Sequence, residues 1–261
     1  MTGTYGIAAW RHPLADIMIM TGRSSRHILR SVDNILVAAV LPVLIMLLMT
    51  TVFGGAIDPG GRTGYVDYVV PGVVLMCAGY GASMTAMSVA HDLKEGIIAR
   101  FRSMDVLPSA VLFGHVAASV LRTLVSVSLV MGTAMLIGFR PRGTAADLLA
   151  AGALLVGFVV AISWLMAMLG MLAKTVEGSS LPGFLLLFIP YLSSAFVPID
   201  TLPDWLQPIA THQPITPINE TLRGLLLAGP VDRATPAVIW CLGITVVAAA
   251  GAALLWRHRR Q

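Results

Sequence analysis

The chain concentrates its chemically capable side chains in one charged stretch, His91–Asp105, with the sequence HDLKEGIIARFRSMD. It lies between two apolar runs, each long enough to cross a bilayer. Read as a helix, the stretch places its aliphatic and aromatic side chains in one sector and its charged side chains in the other. Such a helix can seat its apolar edge in a groove of another protein, so we predict a docking element for a soluble partner. A surface helix that only lies on the inner leaflet is the alternative.

Side chains that could catalyse a reaction or bind a metal do not occur at functional spacing. No His, Cys or acidic companion at ligand spacing accompanies His91, His115, His212 or His258, and no Gly-x-Ser-x-Gly turn occurs. The tripeptide at 173–175 lacks the glycine and the strand–loop–helix setting of a phosphate-binding loop. We therefore expect a chain that is not an enzyme and has no metal or cofactor of its own. A membrane-embedded enzyme acting on lipid or peptide bonds is the alternative.

One further charged residue, Arg122, falls inside an apolar run, about four turns beyond Pro108 at 3.6 residues per turn. A charge within hydrocarbon is costly enough to count as a hypothesis of function. Two interpretations of Arg122 stay open. It either contributes to a pathway through the membrane, or it is a structural arginine that reaches the headgroups or a bonding partner.

The composition indicates that most of the chain is surrounded by lipid and not by water. Charged residues make up 11% of the chain, hydrophobic residues 57%, and the mean hydropathy is +0.84, whereas soluble domains are about 25% charged. Continuous apolar runs favour helices over a barrel, and a helix needs about 20 residues to span the hydrocarbon. We predict an all-α integral membrane protein with six transmembrane helices, at Ile35–Phe53, Val66–Ala90, Val111–Phe139, Leu148–Ala173, Leu181–Val197 and Ala237–Trp256.

The basic residues predict the orientation of these helices, because Lys and Arg near membrane ends are retained in the cytoplasm. With the N-terminus inside, the opposite side holds only Arg62, Arg140, Arg142, Arg223 and Arg233. We therefore expect a multi-pass protein of the cell membrane, with both termini cytoplasmic and no nucleic-acid partner. The net charge of +4 reflects this bias.

The segments at the two ends of the chain are more basic than the apolar runs between them. Residues 1–34 mix apolar and basic side chains, which is typical of an interfacial helix in the inner headgroup region, with a loosely ordered tail as the alternative. No removable signal peptide is expected, since no short apolar region with a cleavage site opens the chain. Residues 35–256 form the membrane domain, and residues 257–261 form a basic cytoplasmic tail.

The segment Pro198–Thr235 is too apolar for a solvated loop, and its prolines confine any helix to short pieces. We expect short external helices at about 200–228, before the sixth span, that re-enter the outer leaflet with Trp205 at the interface. A folded external cap with no transport role is the alternative.

Several sequence blocks, in order and with compatible spacing, resemble the type-2 ABC exporter permeases of the daunorubicin-resistance-like (DrrB/DrrC-like) branch found in actinobacteria. The resemblance covers nearly the full length. Its blocks are Val52-Phe53-Gly54-Gly55, Tyr68-Val69-Val70-Pro71-Gly72, Glu95-Gly96, Arg100-Phe101-Arg102-Ser103-Met104, Pro108, Gly138-Phe139-Arg140, Phe196-Val197-Pro198, Leu202-Pro203-Asp204-Trp205-Leu206-Gln207-Pro208-Ile209, Gln213-Pro214-Ile215 and Leu222-Arg223-Gly224-Leu225.

The resemblance implies that about 91–107 is a cytoplasmic coupling helix between spans 2 and 3, which contacts a separate ATP-binding subunit. Its contact residues would be Asp92, Leu93, Lys94, Glu95, Gly96, Ile97, Arg100, Phe101, Arg102 and Ser103. The implied complex has two permeases, identical or homologous, and two ATPases that hold ATP and Mg. It would export a hydrophobic or amphipathic cargo, such as a drug, lipid or polyketide-like compound. The resemblance also implies that Trp205, Leu206, Pro214 and Arg223 belong to the external re-entrant helices.

Overall fold

A computed structural model describes residues 32–54, 64–95 and 108–258, and the side chains of residues 39–54, 64–95 and 111–257. Every regular element in these residues is helical. A π-helical turn, Met49–Phe53, continues α1, and short 3₁₀ turns occur at Glu177–Ser180, Ile189–Leu192 and Ile199–Thr201. The α-helices are α1 Val32–Leu48, α2 Tyr65–Lys94, α3 Pro108–Leu136, α4 Ala145–Leu172, α5 Leu181–Phe188, α6 Gln207–His212, α7 Ile215–Leu227 and α8 Ala234–His258.

The all-helical architecture predicted from the sequence is confirmed. Four helices, α2, α3, α4 and α8, are long and apolar enough to cross a membrane, which indicates a multi-pass membrane protein. The total of six spans and the cytoplasmic location of the termini stay predictions. The interfacial lead-in helix, most of the coupling segment and the end of the basic tail lie outside the described residues.

The predicted fifth span, Leu181–Val197, is wrong as a continuous helix. α5 ends at Phe188 and gives way to a 3₁₀ turn and a further turn at 193–196. Pro190 has no N–H to donate to the helix, and the Ser193 hydroxyl donates to its carbonyl at 2.6 Å. At 1.5 Å per residue, α5 is about 12 Å long, too short to cross the hydrocarbon alone.

The predicted third span also ends earlier than expected, at Leu136 instead of Phe139. Gly138 has φ of 111°, a left-handed conformation that glycine adopts without steric penalty. Six residues after Gly138, Thr144 caps α4 through a reciprocal pair with Asp147, whose carboxylate accepts from the Thr144 N–H at 2.9 Å. The turn between α3 and α4 is therefore short and well defined.

α2 is the central helix of the described bundle. In its most apolar 18-residue window 78% of residues are buried, against 17% for α8. α1, α3, α4, α5 and α7 all pack against α2. Small residues permit the closest approaches, since a Cβ added to Gly170 of α4 would lie 2.8 Å from the Ala86 Cα. Such contacts stabilise helix pairs in a membrane, where burial from water supplies no driving force between helices.

The helix ends fall into two groups at opposite ends of the bundle. At the first, here called the Glu95 end, the end of α2 meets the start of α3 and the end of α4. At the second, here called the Arg223 end, the start of α2 meets the α3–α4 turn and α7. The basic residues assigned to the cytoplasm that the structure describes, such as Lys94 and Lys174, lie at the Glu95 end.

Candidate docking end and polar centres

The first residues predicted to contact a partner lie at the Glu95 end. Asp92, Leu93 and Lys94 form the last turn of α2, and the Glu95 N–H closes that turn by donating to the His91 carbonyl at 3.0 Å. These residues therefore extend the second span by a turn. The other predicted contacts lie outside the described residues, so the coupling helix stays a prediction for Gly96, Ile97, Arg100, Phe101, Arg102 and Ser103.

A hydrogen-bonded pair joins α2 to α3 on either side of that segment. Asp92 Oδ2 and His115 Nε2 are 3.0 Å apart, and the side chains are 23% and 17% exposed. Sequence spacing gave His115 no acidic companion, because the pair forms only when the two helices run antiparallel. The contact holds together the two helix ends from which the docking stretch departs.

A cavity of about 310 Å³ lies between the ends of α2 and α4 at the same end of the bundle. Its lining combines apolar side chains with two lysines, Lys94 and Lys174, both exposed. An apolar recess with cationic residues beside it can accept an apolar side chain of a partner whose surroundings are acidic. The lining residues are Ala90, Leu93, Lys94, Leu172, Ala173 and Lys174.

Arg122 lies on α3, where that helix packs against α2. Its Nη2 donates to the Gly81 carbonyl at 3.1 Å. Its Nε and the buried hydroxyls of Thr85, Thr123 and Ser126 have no hydrogen-bond partner among the described residues. We call Gly81, Thr85, Arg122, Thr123 and Ser126 the Arg122 centre. The sequence singled out only the arginine, because isolated hydroxyl residues are common in apolar helices.

Arg223 organises a second polar cluster at the Arg223 end. Its Nε and Nη2 donate to the Tyr68 carbonyl at 3.2 and 3.0 Å, and Nη2 also donates to the Ser194 carbonyl at 2.7 Å. The guanidinium carbon lies 3.8 Å from the centroid of the Tyr68 ring. Burial lowers the pKa of Arg223, and the neighbouring Glu220 carboxylate opposes that shift. The arginine thus joins α7 to α2 and to the turn that interrupts the predicted fifth span.

Asn219 and a loop contact complete this cluster. Asn219 is fully buried, and its Nδ2 donates to the Ser194 carbonyl at 3.0 Å. The amide N–H of Arg142 donates to the Leu226 carbonyl at 2.8 Å, which caps the end of α7. The Arg142 side chain also pairs with the buried Asp67 carboxylate at 3.3 Å. We call Tyr68, Ser194, Asn219 and Arg223 the Arg223 centre.

The structure separates the residues that the resemblance assigned to the external helices. Arg223 alone belongs to the Arg223 centre, while Trp205 is 72% exposed. Leu206 and Pro214 occupy the N-cap positions of α6 and α7. Sequence reasoning missed Asn219 as a site residue, although a polar residue on the buried face of an amphipathic helix is a usable signal.

Comparison with known proteins supplies the family. Residues 15–227 match the ABC-2 type transporter family. The probable doxorubicin resistance ABC transporter permease protein DrrC, from two strains of Mycobacterium tuberculosis, is 27% identical over 249 residues, or 94% of this chain and 89% of that protein. The daunorubicin resistance ABC transporter permease protein DrrB1 of Streptomyces coeruleorubidus is 27% identical over 212 residues, or 81% of this chain and 72% of that protein.

The matched region runs from the lead-in residues to the end of α7, so it includes the Glu95 end and both polar centres. The resemblance inferred from the sequence blocks is confirmed. This chain belongs to the ABC-2 type transporter family.

Proposed function

We propose that this chain is the permease subunit of an ABC exporter, which moves a hydrophobic or amphipathic compound outward with ATP hydrolysed by a separate subunit. The observation that carries the proposal is the family match over residues 15–227. The relatives are named as permeases of doxorubicin and daunorubicin resistance, which supports a drug-like cargo. An endogenous lipid or polyketide-like compound has the same amphipathic character and is the alternative cargo.

The docking partner in this proposal is a cytoplasmic ATP-binding subunit, present in two copies that hold ATP and Mg, beside a second permease. Residues 91–107 contact it, with Glu95, Arg100 and Arg102 directing the contact by charge and Leu93, Ile97 and Phe101 supplying apolar burial. The cavity beside Leu93 and Lys94 supports this assignment, because it offers an apolar recess where the stretch leaves α2.

α2 is the element that we propose transmits the effect of ATP hydrolysis from the Glu95 end to the Arg223 end of the bundle. At 1.5 Å per residue the helix is about 45 Å long, and it is continuous from the Glu95 end to the Arg223 centre. The Arg223 side chain bonds to the Tyr68 carbonyl in the first turn of α2. A push on the coupling stretch therefore reaches α7 through one continuous helix and one set of hydrogen bonds.

In this orientation the Glu95 end faces the cytoplasm and the Arg223 end faces outward, with six membrane passages and both termini inside. α6 and α7 then lie at the outer leaflet. The exposed Trp205 supports that position, since tryptophan is enriched at membrane interfaces.

The direct test purifies this chain in lipid with an ATP-binding subunit from the same gene neighbourhood, and compares the parent with an Arg100→Ala, Phe101→Ala double variant. We expect the parent complex to hydrolyse ATP in response to cargo, and the double variant to insert normally but lose that response. Asp232→Ala, an exposed change at the Arg223 end, is the matched control and should behave as the parent. A parent chain that binds no ATPase would overturn the proposal.

A further inference from the structure

The Arg122 centre lies at the middle of the membrane domain. At 1.5 Å per residue, Arg122 is about 21 Å from either end of α3. The hydrocarbon core is about 30 Å thick, so a guanidinium midway along this helix is far from both headgroup regions. Its hydrogen bond to the Gly81 carbonyl directs it toward α2, in the interior of the bundle.

The positive charge of Arg122 has no anionic partner among the described residues. The described carboxylates that form ion pairs do so with other residues at the two ends of the bundle, as in Asp67–Arg142, Asp92–His115, Glu95–His91 and Glu220–Arg233. The Arg122 partner is a neutral carbonyl, and Nε is buried without an acceptor. A cation in a low-dielectric interior is strongly unfavourable until an anion or further acceptors satisfy it.

The neighbouring groups are suited to an acidic ligand. A guanidinium presents several donors in a planar fork that matches carboxylate and phosphate oxygens. Thr123 is next to Arg122 in the chain, Ser126 is one helical turn further along α3, and Thr85 is one turn beyond Gly81 on α2. Each of the three has a buried hydroxyl that can donate a proton to an acceptor. The absence of a side chain at Gly81 lets α2 and α3 pack closely, since a Cβ at this position would lie 2.7 Å from Thr123 Oγ1.

We propose that the Arg122 centre binds an anionic group, a carboxylate or phosphate, of the transported compound as it passes the middle of the membrane. This inference rests on the proposed export function and favours its alternative cargo, an acidic lipid or polyketide-like compound, over the basic amine drugs for which the relatives are named. Arg122 is a binding residue in this proposal, and the three hydroxyls adjust the strength of its hold on the anion.

The test measures binding of a fluorescent fatty carboxylate, dansyl-undecanoate, and of its uncharged methyl ester to the purified complex with the ATP-binding subunit. A hydrogen bond to a charged group is stronger than one to a neutral group, so we expect the parent to bind the carboxylate roughly 10- to 100-fold more tightly than the ester. Arg122→Gln should abolish this preference, and Arg122→Lys should keep part of it. Arg233→Gln, at a half-exposed arginine of the Arg223 end, should leave the preference intact.

Thr123→Val and Ser126→Ala keep the charge and nearly the same volume, so they test the site even where Arg122→Gln fails to assemble. Each should weaken carboxylate binding several-fold and leave ester binding unchanged. Equal affinity of the parent for both probes would overturn the inference. So would an anion preference that survives Arg122→Gln.

A purely structural role for Arg122, in which it only holds the Gly81 carbonyl, is the main rival. If Arg122→Gln lowers the Tm while the parent shows no anion preference, the arginine is structural and the inference fails. ATPase activity and subunit association are recorded in the same samples. Loss of association in the parent would refute the export proposal, whereas intact association without anion preference would refute only this inference.

Discussion

Arg223 shows how much one side chain can connect when it bonds to backbone atoms. Its guanidinium reaches carbonyls of Tyr68 and Ser194, which lie 155 and 29 residues away in the chain. A carbonyl oxygen has two lone pairs, so it can accept from a guanidinium in addition to a backbone N–H, and a charged donor bonds to it strongly. The residue therefore joins three elements without an ion pair to any carboxylate that the structure describes.

Replacing Arg223 by lysine should destabilise the Arg223 end. Arg223→Lys keeps the charge but removes the planar fork that reaches two carbonyls. Since a hydrogen bond to a charged group contributes about 1.5–3 kcal/mol, we expect the free energy of unfolding to fall by about 1–2 kcal/mol. A lower Tm of the detergent-solubilised protein would measure this change.

Arg233→Lys is the matched control, because Arg233 is 48% exposed and its Nε is 3.7 Å from Glu220. Exposed ion pairs contribute about 0–1 kcal/mol, so its Tm should stay close to that of the parent. Equal losses in both variants would show that the bonds to Tyr68 and Ser194 add nothing to stability.

At the scale of elements, the close crossings of α2 depend on residues without side chains. An added Cβ on Gly170 would lie 2.8 Å from the Ala86 Cα, whereas Gly152 on the same helix has no heavy atom within 4 Å of its added Cβ. The two glycines thus separate the effect of packing from the effect of helix propensity, which is similar for both.

We expect Gly170→Val to reduce stability by about 1–3 kcal/mol, the usual range for overpacking, and Gly152→Val to leave it nearly unchanged. Thermal unfolding of the two variants and the yield of monodisperse protein provide the measurement. A Gly152→Val variant as unstable as Gly170→Val would mean that the α2–α4 crossing is not what limits the size of residue 170.

The short helix α5 illustrates a further effect of local chemistry on an element. Its residues are as apolar as those of a transmembrane helix, yet Pro190 and Ser193 divert the backbone into turns. The turn places the Ser194 carbonyl where Arg223 and Asn219 donate to it. The interruption of the predicted span is thus part of the Arg223 centre.

The orientation of the whole molecule can be tested by labelling from outside the cell. Cys77 and Cys241 are both buried, so background reaction with a membrane-impermeant maleimide should be low. We expect Asp200→Cys, at the Arg223 end, to be labelled in intact cells, and Glu177→Cys, at the Glu95 end, to be labelled only after lysis. Both positions are exposed. The reverse pattern would place the Glu95 end outside and contradict the proposed docking of an ATPase there.

The long spans were predictable from the sequence because the apolar runs that form them are a local property of the chain. α2, α3, α4 and α8 each begin and end within about one turn of the predicted apolar runs. The prolines of Pro198–Thr235 likewise predicted short helices there, as in α6 Gln207–His212. The ordered blocks indicated the family, since they depend on residue identity and spacing alone.

Only the tertiary structure decided which polar residues meet. His115 lacked a companion in the sequence and gained Asp92 through antiparallel packing, and Arg122 gained the Gly81 carbonyl in the same way. The break after α5 depends on two hydrogen bonds. The Ser193 hydroxyl donates to the Pro190 carbonyl within the turn, and the Arg223 side chain donates to the Ser194 carbonyl. The apolar character of a segment can be read from its own residues, whereas a hydrogen bond requires two atoms to lie about 3 Å apart. That distance depends on how the helices pack together.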